Sequence, residues 1–367
     1  MSRDPAKAPV ERPPNMTTVS GPIRGEEAPI KNRGVVAAML VVGLVASSCS
    51  SNPDSVDPPE MAKVRVLVAP FLGFLPFYIG DAEGYYTEQN LEVELVPIES
   101  PNAALPAFIQ GEGDVWAGSL GPNLFNAINQ GGRIQIVADK GYIDPNGCTY
   151  WALVARSDLN GDNGDLGLLE NATVGVSTRP SISTSYFLDT LTDIGNVPDE
   201  SLDLHALPNP SVAEALGDGL LDFTTATEPW ITRILDAGSG EIWYTANEAL
   251  PDYQIGYTVF NSRFLDEEPE VGERFMIAYL NAMRQYNEGK TEQNLDNASE
   301  ATGLDRDFLE RACWSAMRDD GSINTEAIDA AQEWAVSQDL NDRVLSSDEY
   351  WNSSFIDHAN AVLAESG

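Results

Sequence analysis

The chain has 367 residues, with 57 Asp and Glu against 21 Lys and Arg, for a formal net charge of −36 at pH 7. So acidic a surface repels nucleic acid, which is excluded as a partner, and the excess reads as a solvated shell that says little about a ligand. Three cysteines, two histidines and no CxxC leave a zinc site or a Cys–His nucleophile without neighbours, so no metal, cofactor or catalytic residue is expected.

Residues 1–49 read as a signal region. Lys31 and Arg33 precede an apolar run from Val35 to Ala46, and Ser47-Ser48-Cys49 follows. A basic flank, a short apolar run and small residues are the grammar of secretion, and the run is shorter than the roughly 20 residues of a membrane span. A cut before a cysteine resembles a bacterial lipoprotein signal, with Cys49 as the lipidated first residue. A plain signal peptide with an incidental cysteine is the alternative, and Met16 is a second candidate start. Residues 50–62 are polar and Pro-rich, as a flexible tether would be. Beyond Cys49 the only lysines are Lys63, Lys140 and Lys290.

From about Ala62 the pattern is α/β, over a length that predicts two domains. Strands are expected at 64–68, 91–96, 114–117 and 134–138, with helices at 76–89 (broken near Gly84), 103–110 and 122–130. The same alternation restarts with strands at 149–155, 173–176, 202–207, 221–224 and 255–260, and helices at 181–194, 212–216 and 229–237. Helices at 269–288, 292–301, 306–317, 325–338 and 353–364 complete the chain. Strands alternating with helices imply βαβ units and largely parallel sheets.

One internal echo stands out. Ala107, Gly111 and Asp114 recur with identical spacing as Ala215, Gly219 and Asp222. After each aspartate come a short apolar strand, a small polar turn and a proline, Pro122 or Pro229, then a glycine nine residues on, Gly131 or Gly238. Proline at a helix start and glycine past its end fit helix boundaries. Ligands of open α/β sheets collect at the carboxyl ends of strands, so two such turns predict a shared crevice.

The stretches G-F-L-P-F-Y-I-G-D-A-E-G-Y-Y-T-E-Q-N-L-E-V-E-L-V (73–96), A-F-I-Q-G-E-G-D-V-W-A-G (107–118) and L-F-N-A-I-N-Q-G-G-R-I-Q-I-V-A-D-K-G (124–141) carry a resemblance. With V-G-V-S-T-R-P-S-I-S-T-S-Y-F-L (174–188) and T-E-P-W (227–230), they are similar to the substrate-binding proteins of ABC importers, in the nitrate/sulfonate/taurine and thiamine-pyrimidine-precursor group. The resemblance covers most of residues 63–290. It implies a two-lobed type II periplasmic-binding-protein fold, with mixed, mainly parallel sheets and a helical C-terminal segment. Lobe 1 would comprise 63–148 plus 255–367, and lobe 2 would comprise 149–254. It also implies a small-molecule ligand, ABC transporter permease subunits as partners, a monomer, and an extracytoplasmic place on the membrane through the lipid anchor.

Candidate ligand-binding residues follow from the turns. Ser119, Gly121 and Asn123 open one helix; Arg179, Ser181, Ser183 and Thr184 surround the start of another, where hydroxyls either meet a ligand or cap the helix. Arg179 suits a sulfonate, phosphate or carboxylate, with plain surface exposure as the alternative. Glu228 either accepts from a ligand amine or ring N–H, or stabilises its own helix. Phe74, Leu75 and Pro76 lie in an unusually apolar loop, and Tyr142 and Trp230 are candidate stacking partners, whereas Trp116 fits a core position better. Cys148 and Cys313 either form a disulfide pinning the tail near the hinge or remain two thiols. A small organic anion such as a sulfonate is preferred as ligand over a pyrimidine-like heterocycle. A receptor-docking sensor is the other binding role. A thiamine-pyrimidine synthase-like enzyme lacks its lysine, histidine and cysteine pattern here.

Overall fold

The structure is a computed structural model that describes residues 60–99, 101–176 and 182–366. The expectations for Cys49, the signal region and most of the tether lie outside these residues, as do Arg179 and Ser181.

The first half builds βαβ units in the expected order. Strand β1 (Ala62–Val68) leads through a 3-10 turn into α1 (Leu75–Ala82) and α2 (Tyr85–Glu88), divided where Gly84 takes φ +80°, a conformation only glycine adopts freely. Then come β2 (Leu91–Pro97), α3 (Pro101–Ile109), β3 (Val115–Ser119), α4 (Pro122–Asn129) and β4 (Ile134–Asp139). The chain next enters β5 (Trp151–Arg156), β6 (Thr173–Val176), α5 (Ile182–Gly195), β7 (Asp203–Ala206), α6 (Asn209–Gly217), β8 (Phe223–Thr227) and α7 (Trp230–Asp236). Strand β9 (Gly240–Thr245) and the one-turn α8 (Ala246–Ala249) were not expected; β10 (Gly256–Asn261) was. Helices α9 (Pro269–Asn287), α10 (Glu292–Thr302), α11 (Arg306–Arg311), α12 (Thr325–Ser337), α13 (Ser347–Tyr350) and α14 (Ser354–Ser366) complete the fold.

The strands form two five-stranded sheets, ordered β2-β1-β3-β10-β4 and β7-β6-β8-β5-β9. In the first, β1 runs parallel to β2 and β3 while β10 is antiparallel to β3 and β4. In the second, β6 runs parallel to β7 and β8 while β5 is antiparallel to β8 and β9. The single reversed strand occupies the same place in each. Both sheets are therefore mixed and mainly parallel, and the architecture is that of a type II periplasmic binding protein.

The internal echo has a physical basis in these sheets. The Asp114 carboxylate accepts from the Arg65 backbone N–H at 2.8 Å, and Asp222 accepts from the Thr173 N–H at the same distance. Each aspartate, just ahead of its strand, ties that strand to the start of the parallel neighbour. Asp114 is 2 % exposed and also pairs with Arg263 at 3.1 Å.

Two large cores support the sheets. One packs α1, α9 and α14 on the first sheet through Val66, Phe77, Phe260, Phe275 and Tyr279. The other runs from the opposite face of that sheet, through Trp116, Tyr257, Trp151 and Tyr253, to Phe187, Leu153 and Phe223 of the second. Trp116 is 1 % exposed beside Phe108 and Tyr257, so it is a core residue.

One expected helix is shorter than its pattern. Residues 306–317 read as helical, yet α11 stops at Arg311 and the chain continues extended. Tertiary bonds outcompete helix propensity there. Cys313 is joined to Cys148 in a disulfide, its N–H donates to Glu228 at 3.1 Å, and Ala316 bridges to Tyr142. Residues 313–317 thus form a strap held against the segment that connects the sheets.

Candidate functional site

Strands β1, β3 and β4 end at Val68, Ser119 and Asp139 on one edge of the first sheet, and β10 begins there at Gly256. In the second sheet, β8 ends at Thr227 beside the start of β5 at Trp151. These are carboxyl edges, where α/β proteins hold ligands. The group that crosses between them is Tyr150, one residue ahead of β5.

Lys140 is the centre of the arrangement. It directly follows β4, and its backbone N–H donates to the Gly256 carbonyl at 3.2 Å. Its side chain is 5 % exposed, with Nζ 4.2 Å from the centroid of the Phe74 ring. A Cβ on Gly256 would lie 2.9 Å from Nζ and 2.8 Å from the Gly118 carbonyl, so glycine there leaves the lysine its room. At Gly73, just past β1, a Cβ would lie 3.9 Å from each of Lys140 Nζ, Tyr150 Oη and Ser315 Oγ. Three polar groups from three parts of the chain therefore converge on one point, and the lysine among them also lies over an aromatic ring.

None of the three has a hydrogen-bond or ion-pair partner for that side-chain group among the described residues. Ser315 is 3 % exposed and its hydroxyl oxygen is fully enclosed. Buried polar groups are ordinarily paired, so unpaired ones gathered at a carboxyl edge single out a candidate binding surface. Burial lowers the Lys140 ammonium to about 8, an effect the neighbouring Asp139 carboxylate opposes. Burial, and then Glu228, push the Tyr150 phenol up to about 12, so it stays a proton donor at neutral pH.

The connection between the sheets is braced from below. Asp139 is fully buried; it accepts from the Gly141 N–H, the Gln254 amide and the Arg318 N–H at 2.8, 2.6 and 2.7 Å. Arg318 in turn bonds Gln254 and lies over the Tyr142 ring at 4.0 Å. Both crossings and the strap are tied into one network. Tyr142 belongs to that brace.

The other expected residues fall in different places. Phe74 lines the Lys140 site, and Ser119 lies at the adjoining strand end, its carbonyl accepting from the Tyr257 hydroxyl at 3.0 Å. Gly121 is the buried N-cap of α4. Leu75 is wholly enclosed in the first core and Pro76 is buried in the first turn of α1, so neither side chain is open to a solute. Asn123 is exposed in an outer groove between α3 and α4, lined also by Leu105, Ile109 and Gln130, because its place on α4 turns it away from the strand ends.

In the second sheet, Ser183 and half-buried Thr184 lie in the first turns of α5. Trp230 opens α7 under the Arg233 guanidinium, 4.7 Å from its ring. Glu228 is 8 % exposed, and its carboxylate accepts from the Thr232 N–H, the Thr232 hydroxyl and the Cys313 N–H. Burial raises its pKa, opposed by these hydrogen bonds and by Lys290. Glu228 is thus a fastener between α7 and the strap, and the reading in which it serves its own helix is the one its geometry fits.

Residues 72–292 match the family described as NMT1/THI5 like. The chain belongs to the NMT1/THI5-like family. Solved structures agree in fold across nearly their whole lengths. The ligand-binding component of an ABC-type import system from Staphylococcus aureus is 16 % identical with a TM-score of 0.66, covering 81 % of this chain and 99 % of that one. The periplasmic aliphatic sulphonate-binding protein SsuA from Escherichia coli is 11 % identical with a TM-score of 0.65, covering 81 % and 93 %. The periplasmic nitrate-binding protein NrtA from Synechocystis PCC 6803 is 13 % identical with a TM-score of 0.66, covering 84 % and 90 %. Among curated proteins no sequence match is found.

Sequence reasoning missed Lys140, Tyr150 and Ser315 in this NMT1/THI5-like chain. The one available signal was scarcity: Lys140, in A-D-K-G-Y, is one of three lysines in a strongly acidic body.

Proposed function

We propose that this chain is the solute-binding component of an ABC-type importer, holding a small organic anion of the sulfonate, taurine or nitrate kind between its two sheets and delivering it to permease subunits. The observation that carries this reading is the buried Lys140 ammonium, unpaired among the described residues and placed where the carboxyl edges meet. The fold shared with sulfonate- and nitrate-binding proteins supports it. Glu228 favours an anion over a nitrogen heterocycle, since its carboxylate already accepts three hydrogen bonds from the protein.

In this reading residues 63–148 with 255–367 form one lobe and 149–254 the other. Phe74, Ser119, Gly121, Lys140, Tyr150 and Ser315 line one wall, and Thr184, at the start of α5, belongs to the facing one. Lipidation at Cys49 and the tether at 50–62 hold a monomer outside the membrane.

Thermal shift against ethanesulfonate, taurine, nitrate and an aminopyrimidine tests the proposal. A true ligand at a hundredfold its dissociation constant adds about 2.7 kcal/mol of stability. Stabilisation by the aminopyrimidine and by no anion would overturn the anion reading.

A further inference from the structure

We infer that Lys140 Nζ, Tyr150 Oη and Ser315 Oγ form a three-donor subsite for the head group of a singly charged oxoanion, and that it discriminates against dianions. This rests on the solute-binding reading above and names the ligand's head group and the groups that read it. The geometry is that of a cradle: each donor lies 3.9 Å from the same point over Gly73, which itself has no side chain to fill the space. A head group with three oxygens can take one charge-assisted bond and two hydroxyl bonds there.

The charge count sets the selectivity. Among the described residues Lys140 is the only cation at the point of convergence. The two carboxylates nearest in electrostatic terms are Asp139, behind the lysine, and Glu228, behind Tyr150. A sulfonate or nitrate meets one charge with one. Sulfate or a phosphonate dianion would bring a second negative charge to a point where, among the described residues, no second cation stands, and a buried charge without a partner is costly.

The third donor is delivered by the strap rather than by either sheet. Ser315 is held because its neighbours are held: Cys313 by the disulfide and Glu228, Ser315 by its carbonyl accepting from the Tyr286 hydroxyl at 2.8 Å, and Ala316 by its bridge to Tyr142. Its hydroxyl remains for the solute.

Isothermal titration of the purified protein with methanesulfonate, nitrate, sulfate and methylphosphonate tests this, alongside Ser315→Ala, Tyr150→Phe and Lys140→Met, each checked for a cooperative melt. Methanesulfonate or nitrate should bind at least about tenfold tighter than sulfate, and Ser315→Ala and Tyr150→Phe should each weaken the monoanion about tenfold. Lys140→Met should abolish anion binding while the free protein melts no lower than before. Wild-type protein that binds sulfate as tightly as methanesulfonate would overturn the subsite. So would methanesulfonate binding that survives Lys140→Met and Ser315→Ala unchanged, although solute binding itself would then stand. A wild-type protein that takes a neutral aminopyrimidine and no anion would remove both this subsite and the anion reading beneath it.

Discussion

Raising the pH from 7 to 9.5 should weaken anion capture and at the same time stabilise the free protein. Lys140 loses its proton at about 8 in the fold, against an ordinary 10.5. At pH 9 it is then about one-tenth charged, and affinity should fall about tenfold for each further unit. A bound anion restores the proton, so capture at pH 9 should take up about 0.9 proton per solute. The sign for stability is opposite. Between pH 8 and 10.5 the unfolded chain holds the lysine proton and the fold does not, so stability rises with pH across that window. The full cost of keeping the charge buried below pH 8 is about 3 kcal/mol.

The groups facing Lys140 are the Phe74 ring, Asp139 on its own strand and Tyr150, backed by Glu228. Tyr150 titrates above the window, at about 12. The slope due to the lysine is therefore the part that Lys140→Met removes. Calorimetry in two buffers of different ionisation enthalpy reads the proton uptake directly, and denaturant melts read the stability. An affinity flat between pH 7 and 9.5, with enthalpies independent of buffer, would refute the reasoning.

Other outcomes follow from the packing. Asp114→Asn should destabilise by about 2 kcal/mol, because Arg263 loses a buried partner. Its counterpart Asp222→Asn, at a more exposed site, should cost about 1 kcal/mol or less; equal, negligible losses by urea denaturation would contradict the matched role of the two aspartates. Cys148→Ser opens a bridge spanning 165 residues and should cost about 2–4 kcal/mol by thermal melting under non-reducing conditions. Gly256→Ala should both destabilise the protein, since its new Cβ would lie 2.8 Å from the Gly118 carbonyl, and lower anion affinity by displacing Lys140, whose Nζ it meets at 2.9 Å; unchanged affinity of the folded variant by calorimetry would place the site elsewhere.

Local pattern carried most of the fold. Alternating strands such as L-E-V-E-L-V and the Ala-x3-Gly-x2-Asp echo reflect interactions within one βαβ unit, and both sheets repeat them. Strand β9 escaped because its Gly240 is demanded by a neighbour distant in sequence: a Cβ there would lie 2.6 Å from the Ala155 carbonyl. The end of α11 escaped because a disulfide and Glu228, both distant in sequence, set it. The site was less legible. The apolar loop after β1 pointed to Phe74 and helix-start chemistry to Ser119, both of which lie near it; Asn123 instead faces an outer groove, and of the two roles open to Glu228 its bonds to Thr232 and Cys313 fit the structural one. Lys140, Tyr150 and Ser315 share no motif, because their proximity is a product of two chain crossings and a strap.

That strap also sets an order of events. The capture surface needs a residue near the end of the chain, Ser315, seated by a cystine whose other half, Cys148, is synthesised much earlier. Thiols stay reduced in a cytosol and pair in an oxidising compartment. In the proposed exported role, a newly made chain would thus be a poor binder until the bridge closes outside the cytosol, which would keep it from sequestering solute on the wrong side of the membrane.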